Sequence, residues 1–245
     1  MAKPTAEQLA KINRFAKTPL SADDVHVHKF RLIGTGYIPS RFLTFDASLM
    51  ERYLANIENG DVVQIANHDF GSSFKTTLNF GRFFEGEIVQ DGGKTQLDGT
   101  MYMPKASKTY IGDFTTDDIS QQIDSGILHD SSVSVTWGFS ECSVCHNDIR
   151  DYEQCRHWPG RYYDVDGGAQ MVLCTVIAKP RPVNDNSTMI ENSIVCAGAY
   201  PDAGALSAKP PNQEGDYGKP ITQLNNIADL KLVNKDAPVF CCLSS

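Results

Sequence analysis

Three cysteines and a histidine crowd the middle of this 245-residue sequence. Cys142-Ser-Val-Cys145 is a CxxC knuckle, and Cys155-Arg-His157 follows nine residues later. A CxxC turn aims two thiolates at one centre, and the second pair adds a thiolate and an imidazole. Three sulfurs and one nitrogen suit zinc in a closed tetrahedral shell with no position left for water. The expected role of Zn2+ is structural: it would hold together a loop too polar to pack alone. The CxH spacer is tighter than the usual two residues, and His146 stands as a substitute ligand. Free thiols or a redox CxxC are the bland alternatives, the latter disfavoured because no thioredoxin-like βαβ pattern surrounds the motif. Seven cysteines, an odd count in a long chain, do not read as a disulfide framework.

Nucleophilic serine chemistry needs a hydroxyl, a base within reach and usually a third group that orients the base. Spacing cannot select such a set, because its members meet only in the fold. On residues alone, His68 after a strand reads as a surface or capping histidine. Ser134, inside the run SSVSVT, reads as an ordinary strand serine.

The elements that must position these residues are legible in outline. Residues 5–17 read as a helix with Leu9, Ile12, Phe15 and Ala16 on one face, stopped by Pro19. Residues 25–34 alternate as a strand, and its His26 and His28 read as a solvated pair. Asp46 can cap a helix carrying Leu49, Tyr53, Leu54 and Ile57, with Gly60 ending it. A short strand over 61–66 leads to Asn67-His68-Asp69. Segments 80–90 and 94–103 form a hairpin through Asp91-Gly92-Gly93. Residues 115–125 read as a third helix, with Asp117 and Asp118 as first-turn acids and Gly126 as its end. Strands are expected at 131–136 and near 171–177 and 190–196. After Ala203 the composition turns to Gly, Ser, Pro and Asn, a linker signature. Together these elements predict a mostly antiparallel α+β domain.

The order of the segments carries more than any one of them. Asn67-His68-Asp69 comes first, then Phe80-Gly81-Arg82 opening a hairpin. Gly126-Ile127-Leu128 follows a helix, and Val133-Ser134-Val135 comes next. Glu191-Asn192-Ser193-Ile194-Val195 and Ala199-Tyr200-Pro201-Asp202-Ala203 close the set. This order resembles the prohead (capsid maturation) proteases of tailed phages, whose fold is related to the herpesvirus assemblin β-barrel. The family's matching segments are a histidine after a strand, "iGr", "G-l-l…v-S-v-G-f" and "E-v-S-v-V…pAyp-A".

The resemblance implies a mostly antiparallel β-barrel of the prohead protease/assemblin type with a few flanking helices. It covers residues 25–203, with residues 1–24 as an N-terminal helical segment and 204–245 as linker and tail. The Cys/His knuckle becomes an insertion at 139–160, familiar from some phage members. Residue by residue, the resemblance makes Ser134 the nucleophile, His68 the general base and Glu191 the acid that supports it. Two departures stand out. Thr136 occupies the family's glycine position, with Gly138 two places later, and Asn192 replaces an apolar residue. A register slip of two would put Ser132 in place of Ser134, since both share one strand face.

The activity so implied is that of a serine endopeptidase that processes phage capsid and scaffold proteins, and itself, during prohead maturation. Its partners would be the major capsid protein and scaffold segments, with self-association inside the prohead. Its place would be the infected bacterial cytoplasm and the interior of the prohead or virion. The alternative is a catalytically inactive head-associated structural or decoration protein on the same fold, stapled by zinc. A zinc-knuckle interaction domain unrelated to phage would leave the other segments unexplained. Composition bounds all three: 22 Lys+Arg against 30 Asp+Glu give a charge of −8 and a pI near 5.2, contrary to a nucleic-acid-binding surface. No apolar run approaches the roughly 20 residues of a membrane span, and residues 1–15 lack a signal-peptide core. A soluble protein of a reducing compartment is the expectation.

Overall fold

A computed structural model describes residues 3–68, 79–109, 114–165, 167 and 170–206. The tail expected beyond Ala203 lies outside the described residues from position 207 onward. In chain order the elements are α1 (Ala6–Asn13), β1 (Val25–Gly34), β2 (Leu43–Phe45), α2 (Ser48–Glu58), β3 (Val63–Ala66), β4 (Gly81–Asp91), β5 (Lys94–Pro104) and α3 (Thr116–Asp124). They continue with β6 (Ser131–Thr136), β7 (Phe139–Cys142), β8 (Tyr162–Asp164), β9 (Met171–Leu173), β10 (Val176–Lys179), β11 (Thr188–Ile194) and β12 (Gly204–Ala205). Among the described residues no helix is long and apolar enough to cross a membrane.

Seven strands form one curled half-barrel sheet in the order β12-β1-β5-β4-β3-β11-β6. Every pairing in it is antiparallel except β3 with β11. The two rims approach each other where the Ala205 N–H donates to the His129 carbonyl at 2.8 Å. A smaller sheet runs β2-β10-β7, and β8 pairs with β9.

The β4–β5 hairpin turns through Gly92 and Gly93, both at positive φ (+56° and +76°). A two-residue loop between the paired Asp91 and Lys94 demands that conformation, which explains the two glycines. Inside the curl, Phe30, Leu32, Leu49, Tyr53, Ile57, Phe83, Leu97 and Met101 are wholly buried. Leu49, Tyr53 and Ile57 fall at helical spacing, so α2 lays one face across β4, β5 and β11.

The structure departs from the sequence-based expectations in several places. Helix α1 starts as expected, with a Thr5–Gln8 capping box. It stops at Asn13, whose side chain bonds both the N–H and the carbonyl of Leu20 (2.8 and 3.0 Å) and pulls the chain round early. His26 and His28 are buried, not solvated. Helix α3 covers them, setting Asp117 Oδ1 at 2.6 Å from His26 Nε2 and Ser120 Oγ at 2.8 Å from His28 Nε2. The stretch near 171–177 divides into β9 and β10 around Cys174-Thr175, and β7 opens the Cys/His segment. Gly204 and Ala205 pair with Arg31 and Phe30, so the sheet reaches two residues past Ala203.

Candidate functional site

Strand β3 runs parallel to β11 as far as Ala66 opposite Ile194. The Asn67 N–H then donates to the Ile194 carbonyl at 3.0 Å, and the His68 N–H to Ser193 Oγ at 2.9 Å. Asn67 and His68 both adopt the left-handed backbone (φ +56° and +51°). Asparagine tolerates that conformation, but histidine there is uncommon and marks local strain held by its surroundings. The double turn folds the imidazole back over β11.

Its Nδ1 stands 2.7 Å from Glu191 Oε1 and 3.2 Å from Ser134 Oγ. Glu191 is wholly buried, while the His68 side chain is 36% exposed. The second carboxylate oxygen, Oε2, accepts from Ser193 Oγ at 2.8 Å. Both oxygens of this buried carboxylate are therefore partnered, which is what burial of a charge requires.

Strand register explains the convergence. In the β6–β11 pair Ser134 lies opposite Glu191 and Ser132 opposite Ser193, so all four share one face. A register shift between Met189 and Glu191 leaves Ile190 unpaired and 42% exposed. Such a bulge re-aims the side chains after it. The hydroxyl that reaches His68 belongs to Ser134, not Ser132. One nitrogen, Nδ1, serves both neighbours. With its proton held toward Glu191, Nε2 is the nitrogen left to accept another.

Thr136, which stands where the prohead-protease pattern has glycine, has its hydroxyl bonded to the Asn186 carbonyl (2.6 Å) and its own carbonyl bonded by Tyr53 OH (3.0 Å). The Gly138 N–H is taken by Ser187 Oγ at 3.1 Å. A Cβ on Gly138 would lie 2.6 Å from the Arg181 backbone nitrogen. That glycine is needed for close packing.

A cavity of about 400 Å³ opens at Asn67 and is not itself lined by Ser134, His68 or Glu191. Asn67, Phe80, Phe114, Leu128, Ile194 and Cys196 line it, and its wall is mostly apolar. It begins one residue before His68.

The Cys/His cluster forms a second site. Ligand atoms of Cys142, Cys145, Cys155 and His157 all lie within 4.8 Å of one another, so these four can hold a metal ion. Cys142 ends β7, and the His146 N–H donates to its carbonyl at 2.9 Å to close the knuckle. Burial opposes ionisation of the Cys142 thiol, but N–H groups of Cys145 and Val144 aimed at its sulfur prevail and lower its pKa below the ordinary value. Burial pushes Cys155 up to about 11. His157 Nδ1 stands 3.5 Å from Cys142 Sγ and 3.7 Å from Cys155 Sγ, with its ring edge-on to Tyr163. His146 turns away from the cluster, exposed, with Nδ1 at 3.1 Å from Glu141 Oε1. The five cysteines 142, 145, 155, 174 and 196 are free thiols.

Two residues of these sites escaped the reading of the sequence. Ser193 could have been found from alternation, since it lies two positions from Glu191 on one strand and must share its face. Cys174 sits next to Cys142, with 3.7 Å between sulfurs, and had no motif spacing to signal it. No protein-family model, curated protein or solved structure matches this chain.

Proposed function

We propose that this chain is a serine endopeptidase of the prohead maturation type, with Ser134 as nucleophile, His68 as general base and Glu191 as its support. The observation that carries this is the meeting of the three side chains, His68 lying 66 residues from Ser134 and 123 from Glu191 in sequence. An ordinary strand serine has no need of an imidazole and a buried carboxylate beside it. In the reaction, the imidazole keeps its Nδ1 proton on Glu191 and turns Nε2 toward Ser134. Nε2 takes the hydroxyl proton as Oγ attacks the scissile carbonyl, and returns it to the leaving amine. Glu191 stabilises the imidazolium formed in between. The apolar cavity beside His68 suits one bulky apolar side chain of the cleaved peptide.

The resemblance of the ordered segments to the prohead proteases supplies the substrates: capsid and scaffold proteins, and the chain itself. Zinc is the metal that best suits the Cys/His cluster, as a closed structural centre.

The test is intact-mass analysis of the wild type and Ser134→Ala, each co-expressed with the phage's major capsid protein. Shortening of either chain in the wild type alone is the expected result. If neither is cut while native mass shows a bound metal, the chain is an inactive head-associated protein on this fold. Two observations favour that second reading: Nδ1 faces both partners, and Gly138 N–H is already engaged.

A further inference from the structure

Cys174 follows β9 directly and is wholly buried. Its backbone is fixed on both sides. Its N–H donates to the Arg161 carbonyl at 2.8 Å, and its carbonyl accepts from the Gly160 N–H at 2.9 Å. The next residue is tied to the knuckle itself: Ser143 N–H donates to the Thr175 carbonyl at 3.0 Å, and Thr175 N–H to Ser143 Oγ at 2.9 Å. Cys174 and Thr175 are thus held against the knuckle by hydrogen bonds to Gly160, Arg161 and Ser143.

Cys174 Sγ stands 3.7 Å from Cys142 Sγ. Two sulfurs bound to one zinc at about 2.3 Å and the tetrahedral angle are separated by about 3.8 Å. The observed distance is that of two ligands of one ion. Cys142, Cys145, Cys155 and His157 lie within 4.8 Å of one another, and Cys174 beside Cys142 makes a fifth candidate donor for a centre that accepts four. The three other cysteines and Cys174 are soft thiolate donors of one kind, whereas the His157 contacts of 3.5 and 3.7 Å to two sulfurs also suit an N–H donating to thiolate.

We propose that Cys174 is a metal ligand, giving a four-sulfur centre of Cys142, Cys145, Cys155 and Cys174. His157 then lies outside the ion and donates Nδ1–H to the Cys142 and Cys155 sulfurs. This rests on the cluster holding a metal at all. Four thiolates leave a divalent ion with two negative charges in excess. The N–H groups of Cys145 and Val144 aimed at Cys142 Sγ, the latter at 3.4 Å, and the His157 N–H are donors that offset them. The ion would then join three segments of chain, the third being the β9–β10 link that a ligand set ending at His157 leaves unbound.

Zinc K-edge absorption on the full chain loaded with zinc tests this without any substitution. The expected spectrum fits four sulfurs at about 2.3 Å and no nitrogen at about 2.0–2.1 Å. Three sulfurs and one nitrogen would overturn the proposal and return His157 to the ion. Failure to retain stoichiometric zinc would instead bring down the metal centre itself. A cobalt-loaded pair of variants gives an independent answer. His157→Gln is expected to keep the full thiolate-to-cobalt absorption, and Cys174→Ser to lose about a quarter of it, one sulfur of four. The opposite pattern refutes the assignment of Cys174.

Discussion

Ser193 Oγ donates to Glu191 Oε2 at 2.8 Å, two residues back on the same strand. The same oxygen accepts the His68 N–H at 2.9 Å. One hydroxyl therefore braces the buried carboxylate and the strained backbone that carries the imidazole. Ser193→Ala is expected to lose about 1–3 kcal/mol of stability, because the buried Glu191 carboxylate and the part-buried His68 N–H lose their partner. Cleavage should slow by roughly 100-fold through kcat with KM unchanged, the cost of misplacing a catalytic group by about an ångström. Ser193→Thr, which keeps the hydroxyl, should recover most of the rate. Melting curves and steady-state kinetics of the two variants decide this.

Ser132 and Ser134 share a strand face, but only the Ser134 hydroxyl meets His68. Ser134→Ala should abolish cleavage, a fall of at least about 10³-fold, with the melting temperature little changed. Ser132→Ala should stay within a few-fold of the wild type. Capsid-protein cleavage followed by intact mass separates the two.

His28 ties the stability of the fold to pH. Burial beneath α3 pushes its pKa down to about 4, with His26 adding to the effect and Asp124, at 3.8 Å, working against it. Among the described residues its Nδ1 has no hydrogen-bond partner. Asp117, bonded to His26, is the other acid of α3 on this face. Between pH 6.5 and 4 the unfolded chain protonates this residue and the folded chain does not, so stability rises with pH across that window. Acidification through it should cost on the order of 3 kcal/mol. Urea unfolding at stepped pH is expected to show that slope, and His28→Leu to flatten it.

Metal removal should act locally first. Cys142, Cys155 and Cys174 form their own small buried cluster, separate from the main core. Chelation should raise amide exchange through β7, β8 and β9 while β1, β4 and β5 stay protected. A melting temperature lower by roughly 10 °C corresponds to a few kcal/mol of lost binding energy at this chain length. Exchange mass spectrometry before and after chelation gives the pattern directly.

Cys196 is exposed and lines the cavity beside His68. A bulky thiol reagent should block that cavity and raise KM for a peptide with a large apolar side chain near its scissile bond. Cys196→Ser should be insensitive to the reagent. Equal inhibition of both proteins would show that the cavity does not receive the substrate.

Local chemistry in the sequence was enough to find most elements. Thr115 and Asp118 form the capping box that starts α3, and Asp91-Gly92-Gly93 gives the hairpin at its observed register. The knuckle pair and Cys155 were legible because ligand spacing is a local property. What alternation could not tell was which face of β1 is covered, so the burial of His26 and His28 came only with α3 in place. The neighbours of His68 were legible only through the order of segments, because no short-range rule brings β3 beside β11. The bulge at Ile190 has no sequence signature, and it sets the register that puts Glu191 opposite Ser134. Cys174 joins its cluster through the β9–β10 link, a long-range closure that motif spacing does not encode.

The parallel pairing of β3 with β11 has a consequence for the timing of synthesis. His68 leaves the ribosome long before its carboxylate partner, which lies 123 residues further along the chain. Until β11 slots between β3 and β6, the serine and the histidine sit on strands with nothing between them. If the chain cleaves as proposed, the nascent chain would thus be inert toward its neighbours and toward itself while most of it is made. Hydrolytic competence would switch on with the last inner strand, so completion of the sheet doubles as the safety catch.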